Sequence, residues 1–188
     1  MVDPDTQLML DFCAGDLAAF GKLVRRNQKI VLNLAYRYVS DRATAEDMVQ
    51  DVFLRVYGAA AKYHPSAKFT TWVYRITVNV CLNHLRSERT RRSLSLDVDG
   101  GDDERASDLP EPRHTPPSAR LEREELEGKV REAMGNLPET QRTAVLLRRF
   151  QELSYEEIAE VMETTVPAVK SLLARARKAL KSMLDNYL

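Results

Sequence analysis

Basic, amide and aromatic side chains are the groups in this 188-residue chain whose spacing best suits chemistry on another molecule. At about 100° per residue, Val169, Leu172, Leu173, Ala176, Leu180, Met183 and Leu184 gather on one side of a helix. Lys170, Ala174, Arg177, Lys178 and Lys181 fall on the other side, with Ser171 and Arg175 on its flank. Lys170, Ser171, Arg175, Arg177 and Lys178 therefore form a row of donors suited to base edges and phosphates. The plainer reading is a solvated Lys/Arg face, and charge alone supplies only salt-sensitive, sequence-independent affinity.

A second constellation lies earlier. Asn79 and Asn83 stand four apart in an otherwise apolar stretch, with Arg75 one turn before and Arg86 about one turn after. Asparagine is a poor helix former, so two on one stripe point to a use for their amides. The approach to this stretch holds Tyr63, His64, Lys68, Phe69, Thr70 and Trp72, a mixture suited to unstacked bases of single-stranded nucleic acid. The alternative is that Phe69 and Trp72 are core and that the asparagines bond to neighbouring helices.

A third surface is acidic and mixed: Glu46, Asp47, Gln50, Asp51, Leu54 and Arg55 share the side opposite Ala45, Met48, Val49, Val52, Phe53, Val56 and Tyr57. Asp47 and Asp51 repel at i, i+4 by a few tenths of a kcal/mol, which a basic partner would offset. The alternative gives Asp47 a helix-dipole role near the helix start and leaves Asp51 solvated. Catalysis has no comparable constellation. His64, His84 and His114 are scattered, and there is no Gly-rich phosphate loop, nucleophile elbow or metal-ligand spacing. No enzyme activity, cofactor or metal is expected. Cys13 and Cys81 stand alone and read as buried thiols.

Helices must position all three surfaces. The i, i+3, i+4 repeat predicts helices over residues 5–14, 16–38, 44–57 and 70–86. Pro138 suits the first turn of a helix reaching about Phe150. Ser154-Tyr155-Glu156-Glu157 is a capping-box pattern opening a short helix that ends near Met162. Pro167 opens the last helix, running to about Leu184, and the three- or four-residue turn before it makes a helix-turn-helix.

Charge divides the chain further. The net charge of zero conceals +5 over residues 1–92 (14 basic, 9 acidic), −7 over 93–128 (4 basic, 11 acidic) and +2 over 129–188 (10 basic, 8 acidic). The middle stretch, rich in Asp, Gly and Pro, cannot bury enough apolar surface to offset its ordering entropy. The expectation is all-α: domains at 1–93 and 119–188, joined by a flexible acidic linker at 94–118. No stretch reaches the ~18 apolar residues of a membrane span. The first residues lack the basic and apolar regions of a signal peptide, so a cytoplasmic location is expected.

Five segments together resemble the extracytoplasmic-function (ECF) group of bacterial sigma factors in the sigma-70 family. They are Ala45-Glu46-Asp47-Met48-Val49-Gln50-Asp51-Val52-Phe53-Leu54-Arg55, Thr71-Trp72-Val73-Tyr74-Arg75 continuing through Asn79 to Asn83, Leu137-Pro138-Glu139-Thr140-Gln141-Arg142, Leu153-Ser154-Tyr155-Glu156-Glu157-Ile158-Ala159-Glu160, and Val166-Pro167-Ala168-Val169-Lys170-Ser171. The resemblance implies a first domain (sigma region 2) that reads and melts the promoter −10 element and a second (region 4) that reads the −35 element. It implies that Asp47, Gln50, Asp51, Leu54 and Arg55 dock on the β′ clamp coiled coil of core RNA polymerase, with the β flap as a further contact. It also places Asn79 and Asn83 near −10 bases, the 63–70 loop at a flipped base, and Lys170, Ser171, Arg175 and Arg177 at −35. The acidic linker would thread past the active centre, and a separate anti-sigma factor would regulate the chain. A free-standing helix-turn-helix regulator is the alternative.

Overall fold

The computed structural model describes residues 3–65, 68–95 and 117–185. These form two compact units, 3–95 and 117–185, and every regular element among the described residues is helical. The expected acidic linker lies almost entirely outside the described residues.

In the first unit, α1 (Pro4–Cys13) starts where the Asp3 carboxylate accepts from the Thr6 amide at 3.0 Å, with Pro4 in the first turn. Asp16 caps α2 (Leu17–Val39) by accepting from Ala18 and Ala19, and Asp41 caps α3 (Arg42–Gly58) by accepting from Thr44. Each such cap contributes about 1 kcal/mol. Between α2 and α3 the chain reverses through Ser40, at φ 56° in the left-handed region. A single 3-10 turn, Ala60–Lys62, leads toward α4 (Phe69–Ser95).

Helices α1, α3 and α4 all pack on α2, and α3 also packs on α4. Met9, Leu23, Val31, Leu34, Val52, Val56, Phe69 and Val73 are fully buried between them. Asn27, also buried, donates its amide to Asp5 Oδ2 at 3.1 Å and to the Leu23 carbonyl at 3.0 Å. The polar group is thus satisfied, which removes most of its burial cost.

The second unit comprises α5 (Pro117–Gly135), α6 (Glu139–Phe150), α7 (Tyr155–Val161) and α8 (Val166–Leu184). Helices α5, α6 and α7 each pack on α8, around Ala144, Leu147, Ile158, Val169 and Ala176.

The helices expected from periodicity are present, with α4 running nine residues past its expected end at Arg86, and three further points differ. Pro138 is the residue before α6 rather than part of its first turn. Helix α5 gave no clear periodic signal. Its apolar residues are sparse among charges, and Leu126 and Val130 stay exposed while Ala133 is buried. The third difference concerns Cys13, which is exposed and donates its thiol to the Ala60 carbonyl at 3.1 Å; only Cys81 is buried. Cys13 is the last residue of α1, so its partner comes from a turn that helical periodicity cannot anticipate.

Candidate nucleic-acid interface

The helix-turn-helix is built by its caps. The Ser154 hydroxyl accepts from the Glu157 amide at 3.1 Å while the Glu157 carboxylate accepts from the Ser154 amide at 2.9 Å, closing the expected capping box. Four residues, 162–165, then turn the chain, with Glu163 at φ 50° and the Thr164 amide bonded to the Ala159 carbonyl. Thr165 caps α8 through the Ala168 amide, with Pro167 in its first turn.

Along α8, Lys170, Ser171, Ala174, Arg175, Arg177, Lys178 and Lys181 are all exposed, as the 100° projection requires. On the opposite side Val169 and Ala176 are buried and Leu172, Leu173, Leu180 and Leu184 are half-buried. Met183, expected on that apolar side, is 41% exposed in the last turn. Arg175 donates to the Ser171 hydroxyl at 2.9 Å, which orients its guanidinium along the helix before any ligand arrives.

Sequence reasoning overlooked Arg148 and the ring of Tyr155. The Lys170 ammonium lies 5.7 Å and the Arg148 guanidinium 5.1 Å from the centre of that ring. Arg148 also donates to the Leu153 carbonyl at 2.8 Å. One ring thus ties a cation of α6 to a cation of α8. The available signal was an aromatic residue directly after a helix cap, where packing alone gives little reason for one. Each cation–π contact contributes roughly 0.5–1 kcal/mol at such sites. Tyr155→Ala is expected to weaken DNA binding by the chain about three- to tenfold, and Tyr155→Phe to retain it. Fluorescence anisotropy on duplex DNA checks this, and equal losses in both variants would assign the effect to the hydroxyl instead.

In the first unit the second constellation separates by burial. Asn79 and Asn83 are exposed on α4, and neither side chain bonds to another helix among the described residues. Arg86, His64 and Lys68 are exposed, and Arg75, Thr70 and Trp72 are half-buried. Phe69 is fully buried, and its amide donates to the Thr6 hydroxyl at 3.1 Å. It is a core residue, which corrects the expectation that its ring faces bases. Tyr63 is buried as well, edge-on to Trp72 with ring centres 5.0 Å apart. Of the three rings only Trp72 offers surface to a base; Phe69, 5.9 Å away, and Tyr63 support it from the core side.

Burial pushes the Tyr63 phenol above its ordinary pKa. The nearby Thr6 hydroxyl offsets part of this, and Asp3 and Cys13 add to it. The phenolic oxygen makes no hydrogen bond of good geometry among the described residues. The Thr6 hydroxyl is already committed to Asp3 Oδ2 and to the Phe69 amide. A raised folded-state pKa means stability that is full below the unfolded value of about 10 and lost as pH rises through the folded value. The first unit is therefore expected to lose stability above about pH 10, and Tyr63→Phe to remove that alkaline loss. Urea titrations between about pH 8 and 11 measure it, and identical pH profiles for both proteins would sink the assignment.

On α3, Leu54 is 70% exposed, and Asp47, Gln50 and Arg55 are exposed around it. Asp51 is half-buried and pairs with Arg55 through two contacts, at 3.1 and 3.0 Å. That pairing relieves much of the repulsion expected with Asp47. The helix begins at Arg42, so Asp47 lies beyond the first turn, where a dipole role is weak. Among the described residues no group of three or more His, Cys, Asp or Glu side chains could hold a metal.

These features define an all-helical protein of two units, one of which carries a helix-turn-helix with a basic outer face. Residues 23–91 match the family model Sigma-70 region 2, and residues 127–180 match Sigma-70, region 4. The chain belongs to the sigma-70 family and is an RNA polymerase sigma factor of the ECF type. It is 36% identical to the RNA polymerase sigma-H factor of Pseudomonas aeruginosa, over 99% of this chain and 96% of that one. It is 38% identical to the ECF RNA polymerase sigma-E factor of Escherichia coli K12, over 88% of this chain and 86% of that one. The solved structure of CnrH in complex with the cytosolic domain of CnrY superposes with a TM-score of 0.70 at 26% identity, covering 99% of this chain and 100% of that one. The family consists of non-enzymatic transcription initiation factors. No helix among the described residues is long and apolar enough to cross a membrane.

Proposed function

We propose that each surface serves a distinct step of promoter-directed initiation. The α3 face of Asp47, Gln50, Asp51, Leu54 and Arg55 docks on the β′ clamp coiled coil of core RNA polymerase. The α4 stripe of Arg75, Asn79, Asn83 and Arg86, with His64, Lys68, Thr70 and Trp72 beside it, meets the opened −10 element. Lys170, Ser171, Arg175, Arg177 and Lys178 read the −35 element. Region 4 also meets the β flap, the acidic stretch between the units follows the path of nascent RNA, and the chain works in the cytoplasm. A separate anti-sigma factor holds it inactive; CnrH, the 26% identical relative, was solved in a complex with the cytosolic domain of CnrY.

One observation carries the docking assignment: Leu54, 70% exposed, sits beside Gln50, Asp51 and Arg55 on a helix whose Ala45, Met48, Val52, Phe53 and Val56 are buried. A single exposed leucine is ordinary, but Leu54 with the 52% exposed Tyr57 three residues on and polar groups beside them has the anatomy of an interface anchor. The test is addition of the purified chain to bacterial core polymerase lacking sigma. Complex formation by size exclusion and promoter-dependent transcription are the expected results. Failure to bind core, with tight binding of the free chain to a duplex site, would favour a free-standing helix-turn-helix regulator.

A further inference from the structure

A groove of about 560 Å³ opens between α1 and α2, and none of the residues that line it was assigned to the three surfaces above. Pro4, Gln7 and Leu8 line it from α1, and Lys22, Arg25 and Arg26 from α2, so that most of its wall is carbon. Long basic side chains commonly lay their stems along apolar surface while their charges stay in water.

The charges at its rim are not equivalent. Arg26 is held by the Asp5 carboxylate, which also takes the buried Asn27 amide, so that cation belongs to the fold. Lys22 and Arg25 are exposed and have no carboxylate partner among the described residues. The amide of Gln7 is committed to Asp11 at 2.9 Å. The groove therefore presents a largely aliphatic floor with two uncommitted cations on one side.

We propose that this groove is a docking site for an acidic amphipathic helix of a partner protein, with an aliphatic side chain seated between Pro4 and Leu8 and carboxylates paired with Lys22 and Arg25. A helix laid in an apolar groove anchors through residues spaced i, i+3, i+4 and i+7, and flanking charge fixes its orientation. Single-stranded nucleic acid fits the cations but not the floor. No aromatic ring lines the groove for a base to stack on. The inference does not rest on core-polymerase docking, which uses α3.

The full chain is titrated into a fluorescein-labelled synthetic peptide with leucines at i, i+3, i+4 and i+7 and glutamates on the flanks. A scrambled peptide of the same composition and a single-stranded oligonucleotide run in parallel. The amphipathic peptide is expected to bind at least about tenfold tighter than the scrambled one. Lys22→Glu with Arg25→Glu is expected to weaken it at least about tenfold, and Lys22→Gln with Arg25→Gln by less. Thermal melts establish that both double variants are folded. Equal binding of the two peptides, or peptide binding that survives charge reversal, overturns the proposal. Oligonucleotide binding that charge reversal abolishes, with no peptide binding, overturns it in favour of a nucleic-acid contact.

Discussion

Phe69→Ala is expected to destabilise the first unit by about 3–5 kcal/mol, enough to unfold a large fraction of the chain at moderate temperature. The ring is fully buried at the start of α4, and the amide of the same residue donates to Thr6 on α1, 63 positions away. Truncation removes the ring's transfer energy and leaves a cavity that α1 and α4 can close only by breaking the Thr6 contact. Urea titration followed by circular dichroism reads the loss directly. Trp72→Ala provides the contrast. Its ring is half-buried, so its stability cost is smaller, while opening of the −10 element falls if the ring stacks on a base. If Phe69→Ala kept wild-type stability yet lost promoter opening, Phe69 would be the base contact after all.

Reversing the α3 face is expected to have an effect of similar size on assembly and almost none on folding. Asp47→Lys with Asp51→Lys, or Leu54→Lys alone, should weaken binding to core polymerase at least about a hundredfold, in line with the loss of a central interface anchor or of complementary charge. The fold should survive, since Asp47 is exposed, Leu54 is 70% exposed, and the Asp51–Arg55 pair is a surface ion pair of the kind worth about 0–1 kcal/mol. Competition against unlabelled wild type for core polymerase, with a melt of each variant, separates the two quantities. Core binding unchanged in both variants would move the docking site elsewhere while leaving family membership untouched.

Much of the fold was legible because several helices carry their own boundary chemistry. Asp16 and Thr165 bond amides of the next few residues, and Ser154 closes its capping box with Glu157, so those starts depend on neighbours in sequence alone. The basic face of α8 was legible for the same reason, since a helix projects its side chains at a fixed angle. Helix α5 escaped because its few apolar positions yield no strong period, and packing on α8 supplies what its pattern lacks.

By itself, then, the sequence determined the helical class, the helix-turn-helix, the basic and acidic faces, and the family. All of these follow from residues close together in the chain or from motifs in a set order. Only the tertiary structure decided which rings are available. Phe69 and Tyr63 are taken into the core by α1, Trp72 keeps an open side, and Cys13 is left exposed against the 3-10 turn. It also decided that Asp51 is paired, that Leu54 has nothing over it within its unit, and that Tyr155 holds cations from two helices. The physical reason is that periodicity reports which side of a helix is apolar, whereas burial depends on whether a segment distant in sequence arrives to cover it.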